Sequence, residues 1–163
     1  MDAEAILGTI DDLRFSGRRR HHVDIGWGDS GKHRQITTSD TGIEVRITLP
    51  RGAFLADGAV IADDGTDVVV VRRPAEPAIT VRFDDNTGIT GARQLMLLGY
   101  VLGNQHAPID VDDFALTAPL FTSAEAAKAL LAELGITGDV TAVAMAATGW
   151  SRTSGDHHAE HRH

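Results

Sequence analysis

Cysteine is absent from the 163 residues. That removes disulfide scaffolds, thiolate zinc sites, iron–sulfur clusters and cysteine nucleophiles together. No apolar run approaches the roughly 20 residues that a membrane-spanning helix needs. The opening Met1-Asp2-Ala3-Glu4 lacks the basic start and long apolar stretch of a secretory signal. These absences predict a cytoplasmic protein without membrane contact. Basic residues are outnumbered, 15 Lys and Arg against 23 Asp and Glu, for a formal charge of -8. A nucleic-acid binder that neutralises phosphates needs the opposite sign, so no nucleic-acid partner is expected. What is present suits a folded chain: 42% apolar and 23% charged residues, enough length for one ordinary domain or two small ones. Histidine is the oddity, with eight in all and four in the last seven residues.

The first half reads as strands. Val23, Ile25 and Trp27 alternate with polar neighbours, as do Ile43, Val45, Ile47 and Leu49. Val68 to Val71 is a buried strand by its β-branched composition. Turn signals at Gly28–Gly31, Ser39–Gly42, Asp57-Gly58 and Asp64-Gly65 separate these runs and predict a small all-β unit. Pro74 and Pro77 mark a joint, since proline removes a donor and favours extended chain before it. Beyond it, Ile79, Val81 and Phe83 alternate as a strand. A helix over 89–103, apolar nearly all round, is expected to be buried on more than one side and to end with Gly103-Asn104 in a left-handed position. Short strands follow near 109–111 and 114–118. A second helix carries Thr122 as N-cap, Glu125 as capping-box partner, Phe121 stapled onto Ala126, and Gly135 as its stop. Val140 to Met145 makes the last strand. The order βαββαβ predicts a ferredoxin-like unit, two helices on one face of an antiparallel sheet. The fold class is α+β: a β-rich unit over 1–75, a ferredoxin-like domain over 76–147 and a flexible histidine-rich tail over 148–163.

Two motifs invite over-reading. Gly26-Trp27-Gly28-Asp29-Ser30-Gly31 fits G-x-G-x-x-G, and with Lys32 most of a P-loop. Both work only where a strand feeds a helix N-terminus that holds the phosphates. The residues after Lys32 read as strand, and His33 stands where a magnesium-binding Ser or Thr belongs, so a glycine-rich hairpin turn is expected. Arg18-Arg19-Arg20 reads as a strand edge guarded by charge. His21 and His22 point to opposite sides of one strand and cannot share a metal there. No nucleophile elbow, Ser–Lys pair or H-E-x-x-H zinc motif is present, and no enzymatic activity is expected. In the tail, His157, His158, His161 and His163 form a cluster of imidazoles suited to divalent nickel, copper or zinc. A flexible cluster imposes little geometry, so binding there is labile, which favours carriage over catalysis.

Leu49-Pro50-Arg51-Gly52, Leu102-Gly103-Asn104-Gln105-His106-Ala107-Pro108 and the histidine-bearing tail together resemble the UreE family of urease accessory metallochaperones. Leu49-Pro50-Arg51-Gly52, continued by Leu55, Gly58 and Ile61, is similar to the signature of that family's β-rich N-terminal domain. Leu102-Gly103-Asn104-Gln105-His106-Ala107-Pro108 is similar to its G-N-x-H-x-P motif, whose histidine binds nickel at a dimer interface. The histidine-bearing tail is the third. Many members carry a basic residue where Gln105 stands, and some have a further histidine pair where this chain has Leu120 and Thr122.

The resemblance implies a homodimeric carrier of Ni(II), with Zn(II) or Cu(II) able to bind the same site, His106 as the fixed ligand and His157, His158, His161 and His163 as tail ligands. It implies a urease-assembly GTPase and the apo-urease accessory complex as partners. An isologous dimer places two copies of one imidazole about its axis, which one chain cannot do. The alternative is a peptide-binding co-chaperone module whose tail only buffers zinc or nickel. A metal-dependent hydrolase would need about three converging protein ligands, and the sequence offers one fixed histidine outside the β unit and the tail.

Overall fold

The structure is a computed structural model that describes residues 1–105, 107, 109–120 and 122–145. The described chain is mixed α+β and divides into two compact units at Pro74/Ala75. No helix among the described residues is long and apolar enough to cross a membrane.

The N-terminal unit is built from β1 (Asp2–Ala3), β2 (Gly8–Thr9), β3 (Arg19–Asp24), β4 (Arg34–Thr38), β5 (Glu44–Thr48), β6 (Ala59–Asp63) and β7 (Asp67–Arg72). They form two sheets, ordered β1-β5-β4 and β2-β6-β7-β3. The β1–β5 and β3–β7 pairs are parallel, and the others are antiparallel. The valine run explains the packing. Val69 and Val71 join Val23, Ile25, Val45, Ile47 and Leu55 in the main core, while Val68 and Val70 meet Phe15 and Val60 in a second cluster. Alternate side chains of a strand leave opposite faces. A strand buried on both faces therefore reads as an unbroken apolar run. A bulge between Val60 and Ala62 turns Ile61 and Ala62 into the same main core.

Two expectations change here. Trp27 is not on a strand but starts a 3-10 turn over Trp27–Asp29, where its side chain is buried. The glycine-rich segment is also not a hairpin turn, because β3 and β4 lie in different sheets and pair with β7 and β5. It is a crossover, held by Leu55 N–H donating to Ser30 C=O and by Gln35 Nε2 donating to Asp29 C=O, at 2.9 and 3.0 Å. It runs into a strand rather than a helix, so the free N–H groups of a helix start do not face it.

The C-terminal unit runs β8 (Glu76–Arg82), α1 (Gly88–Asn104), β9 (Asp110–Val111), β10 (Ala115–Pro119), α2 (Ala124–Leu134) and β11 (Asp139–Val143). Its sheet is antiparallel throughout, in the order β11-β8-β10-β9. Ile79 and Val81 of β8 and Leu116 and Ala118 of β10 share one face, which packs on Leu98 and Leu102 of α1 and Ala127 and Leu131 of α2. Asn86 ties two loops together. Its Nδ2 donates to Arg82 and Thr137 carbonyls at 2.9 and 2.8 Å, and its Oδ1 accepts from Thr137 N–H at 2.9 Å.

Three details of the helices differ from expectation. Ser123, not Thr122, caps α2, its hydroxyl accepting from Ala126 N–H at 3.2 Å. Glu125 is then the second helical residue, so it is not the capping-box partner. It still favours the positive end of the helix, and its carboxyl is held below the ordinary range by a backbone hydrogen bond and then by Ser123. The staple from Phe121 lies outside the described residues. Gly135 does stop α2, with φ of 68°. Gly103 and Asn104 stay within α1, and Gln105 closes it with φ of -85°, so no left-handed residue ends this helix. Finally, α1 buries one side only: Ile89, Met96, Leu97 and Tyr100 are exposed.

Candidate functional site

The predicted ligands His106, His157, His158, His161 and His163 lie outside the described residues. The chain on either side of His106 is described. Gln105 N–H donates to the carbonyls of Val101 and Leu102, both at 3.2 Å, and Ala107 N–H donates to Leu102 C=O at 2.9 Å. The end of α1 thus fixes the backbone of both neighbours of the motif histidine. Close by, Leu102, Gln105, Pro119, Leu120, Thr122 and Ala126 help line an apolar cavity of about 220 Å³. Further back along α1, Ile89, Arg93, Met96, Leu97 and Tyr100 follow helical spacing and share one face. Ile89 is 82% exposed, Met96 76% and Tyr100 68%.

The histidines of the β unit are placed differently. His21 is buried, with Nδ1 paired to Thr41 Oγ1 and Nε2 3.4 Å from Asp67 Oδ1. His22 leaves the opposite face of β3, and its Nδ1 lies 3.2 Å from Asp40 Oδ2. His33 is exposed, and its carbonyl accepts from Leu49 N–H at 2.8 Å. No three His, Cys, Asp or Glu side chains among the described residues come close enough to hold a metal. Sequence reasoning missed Thr41, Asp40 and Asp67 as partners of these rings. They come from distant turns and strands, and local periodicity carries no signal for such pairs.

Electrostatics here serve the fold. Arg19 grips Asp67 at 2.6 and 2.9 Å, and Arg72 grips Asp24 at 2.5 and 3.1 Å, both directly across the β3–β7 pair. Such two-point guanidinium–carboxylate contacts are the strongest surface pairs. The hydrogen bond from Arg19 holds the Asp67 carboxyl down to about 2. Arg72 likewise keeps Asp24 below the ordinary carboxylate range. Arg18 lies 3.5 Å from Asp63. Two of the three clustered arginines are therefore occupied within the unit, and the cluster is not an open phosphate-binding patch.

Comparison with known proteins finds a family match within the N-terminal unit. The family model of the UreE urease accessory protein, N-terminal domain, matches residues 3–73. A protein of Burkholderia vietnamiensis (strain G4 / LMG 22486) named "Urease accessory protein UreE" is 42% identical over 83 residues, covering 50% of this chain and 38% of the relative. One of the same name from Paraburkholderia xenovorans (strain LB400) is 39% identical over 95 residues, 58% of this chain and 39% of the relative. A third, from Burkholderia ambifaria, is 41% identical over 83 residues, 50% and 38%. The chain spans under two fifths of the length of the curated relatives it matches. Residues 3–73 are those of the two-sheet β unit, which is similar to the N-terminal domain of the UreE urease accessory proteins.

Proposed function

We propose that this protein is a nickel-binding metallochaperone that captures Ni(II) and delivers it during assembly of the urease active site. The match of residues 3–73 to the UreE N-terminal domain carries the reading. Three domains divide the work: a protein-binding β unit over 1–75, a ferredoxin-like domain over 76–147 that dimerises and holds metal, and the histidine-rich tail over 148–163. The βαββαβ order and the β11-β8-β10-β9 sheet support the ferredoxin-like assignment. The open apolar face of α1 supports the homodimer, since such a stripe on one helix calls for a partner.

In this reading His106 supplies one imidazole per protomer, and dimerisation fixes two before metal arrives. The tail histidines His157, His158, His161 and His163 add further nitrogen ligands. An all-nitrogen and oxygen set also accepts Zn(II) or Cu(II), and affinity follows the Irving–Williams order, so nickel delivery depends on partners and supply. Those partners are a urease-assembly GTPase and the apo-urease accessory complex, in the cytoplasm. The protein itself catalyses no reaction.

The test is a nickel titration of the full chain read by native mass measurement. His106→Ala removes the tighter site and leaves weak binding by the tails. Truncation after Gly155 lowers the number of ions bound and keeps the His106 site. If truncation abolishes all binding and His106→Ala changes nothing, the tail is the sole carrier and the interface site is wrong.

A further inference from the structure

Among the described residues, β4 lies at the outer edge of the three-stranded sheet and pairs only with β5. Leu49 N–H donates to His33 C=O and Ser39 N–H donates to Ile43 C=O, at 2.8 and 2.9 Å. These bonds place residues 33 and 39 in hydrogen-bonded pairs with β5. An antiparallel ladder alternates such pairs, so the N–H and C=O groups of Arg34, Ile36 and Thr38 point outward. All three residues are exposed, Ile36 at 68%. The edge strand of the other sheet is treated differently. On β3, Asp40 blocks the edge at His22, accepting from its N–H and donating to its C=O, both at 2.8 Å. Among the described residues, no proline, bulge or covering turn does the same for β4, and open edges invite pairing.

We propose that β4 pairs antiparallel with β4 of a second copy, about a two-fold axis at Ile36. Three outward residues centred on Ile36 make the edge self-complementary. The axis sets Ile36 against Ile36 of the second copy and Arg34 against its Thr38, so every outward backbone group finds a partner. Shifting the register by two residues leaves one end unpaired. The charge pattern favours the same arrangement. Within β4 the one cation, Arg34, lies at one end, and Glu44, which accepts from Arg46 Nε at 3.0 Å, sits beside Thr38 at the other, while Lys32 just before the strand is paired with Asp29. Antiparallel pairing thus brings Arg34 toward Thr38 and Glu44 of the second copy, whereas an in-register parallel pairing stacks Arg34 on Arg34. The apolar contact at the axis covers an otherwise isolated exposed isoleucine. Two five-residue strands bury far less than the roughly 1,600 Å² of a standard interface, so this contact is concentration-dependent. It is independent of the metal reading and of the α1 face.

The cysteine-free chain gives a direct test by single-cysteine cross-linking under mild oxidation, read on non-reducing gels. Facing Cα atoms in a hydrogen-bonded antiparallel pair lie about 5.5 Å apart, within disulfide reach. Ile36→Cys should cross-link at least about tenfold faster than Arg34→Cys or Thr38→Cys alone, whose like positions lie roughly 13 Å apart. Mixing the last two should restore fast cross-linking between them. In sedimentation velocity, the parent chain should shift to species larger than the α1-paired dimer as its concentration rises, and Ile36→Lys should lose that shift. Equal rates for all three cysteines, no cross-link at position 36, or an unchanged shift in Ile36→Lys would overturn the proposal.

Discussion

Asp67 is gripped by Arg19 across the strand pair, and His21 Nε2 lies 3.4 Å from its Oδ1. Its carboxyl sits at about 2 in the folded chain, against an ordinary value of 3.8. A lowered folded value means the unfolded chain binds the proton more readily. The stabilisation is therefore fully present above about 4 and is lost as the pH falls toward 2. Arg19→Ala should move the Asp67 midpoint up toward 3.8, followed by carboxyl NMR titration, and flatten this part of the acid-stability profile. A midpoint unmoved by the substitution would mean that Arg19 is not the cause. A second residue-scale constraint is steric. A Cβ at Gly91 would lie 2.1 Å from the Asn86 carbonyl oxygen. The Asn86 loop is anchored to Thr137 and cannot retreat freely. Gly91→Ala should cost on the order of 1–3 kcal/mol by forced displacement, measured by chemical denaturation.

Among the elements, α2 offers the sharpest contrast between neighbours. Ser123 caps it and Thr122 does not, since Thr122 Oγ1 donates to the Ser123 carbonyl instead. Ser123→Ala should destabilise by about 1 kcal/mol, while Thr122→Ala should fall within about 0.5 kcal/mol of neutral. Equal losses from both would return the cap to Thr122. The pattern of side chains makes the helix itself legible, but Thr122-Ser123 presents two adjacent hydroxyls at the boundary. Choosing between them depends on φ and ψ, which no pattern of side chains records. The strands were legible where alternation or β-branched runs marked them, as at Val45, Ile47 and Val68 to Val71. The two-residue β1 and β2 are too short to leave a period, so no strand was legible there. Gly103-Asn104 resembled a stop because both residues tolerate left-handed backbone, yet α1 continues through them to Gln105. The apolar content of α1 was legible as well. Which side of it meets the core was not, because a helix apolar nearly all round has no polar face to orient it.

For the whole molecule, the two units have separate cores: the clusters of Val45, Leu55 and Val68 lie before Pro74, and that of Ile79, Leu98 and Leu131 lies after it. Residues 1–74 alone should therefore fold and unfold cooperatively in denaturant, which far-UV circular dichroism can read. A fragment without a transition would show that its core depends on the C-terminal unit.

The same separation extends to pH, because the proposed metal ligands and the carboxylates that brace the β3–β7 pair titrate in different ranges. Imidazole must be neutral to bind Ni(II), and its unperturbed pKa is about 6.5. Protons thus compete with the metal as the pH falls, and binding should weaken steeply between about pH 7 and 5.5. The carboxylates that brace the β3–β7 pair stay ionised across that interval, Asp67 and Asp24 both being held below the ordinary carboxylate range by their arginines. Nickel should therefore leave a folded protein. Equilibrium dialysis should show the loss of metal between pH 7 and 5.5, with the far-UV spectrum unchanged and its first acid transition below about 4. Metal retained equally at both ends would assign the binding to carboxylates, and loss of metal in step with the spectrum would make release a consequence of unfolding.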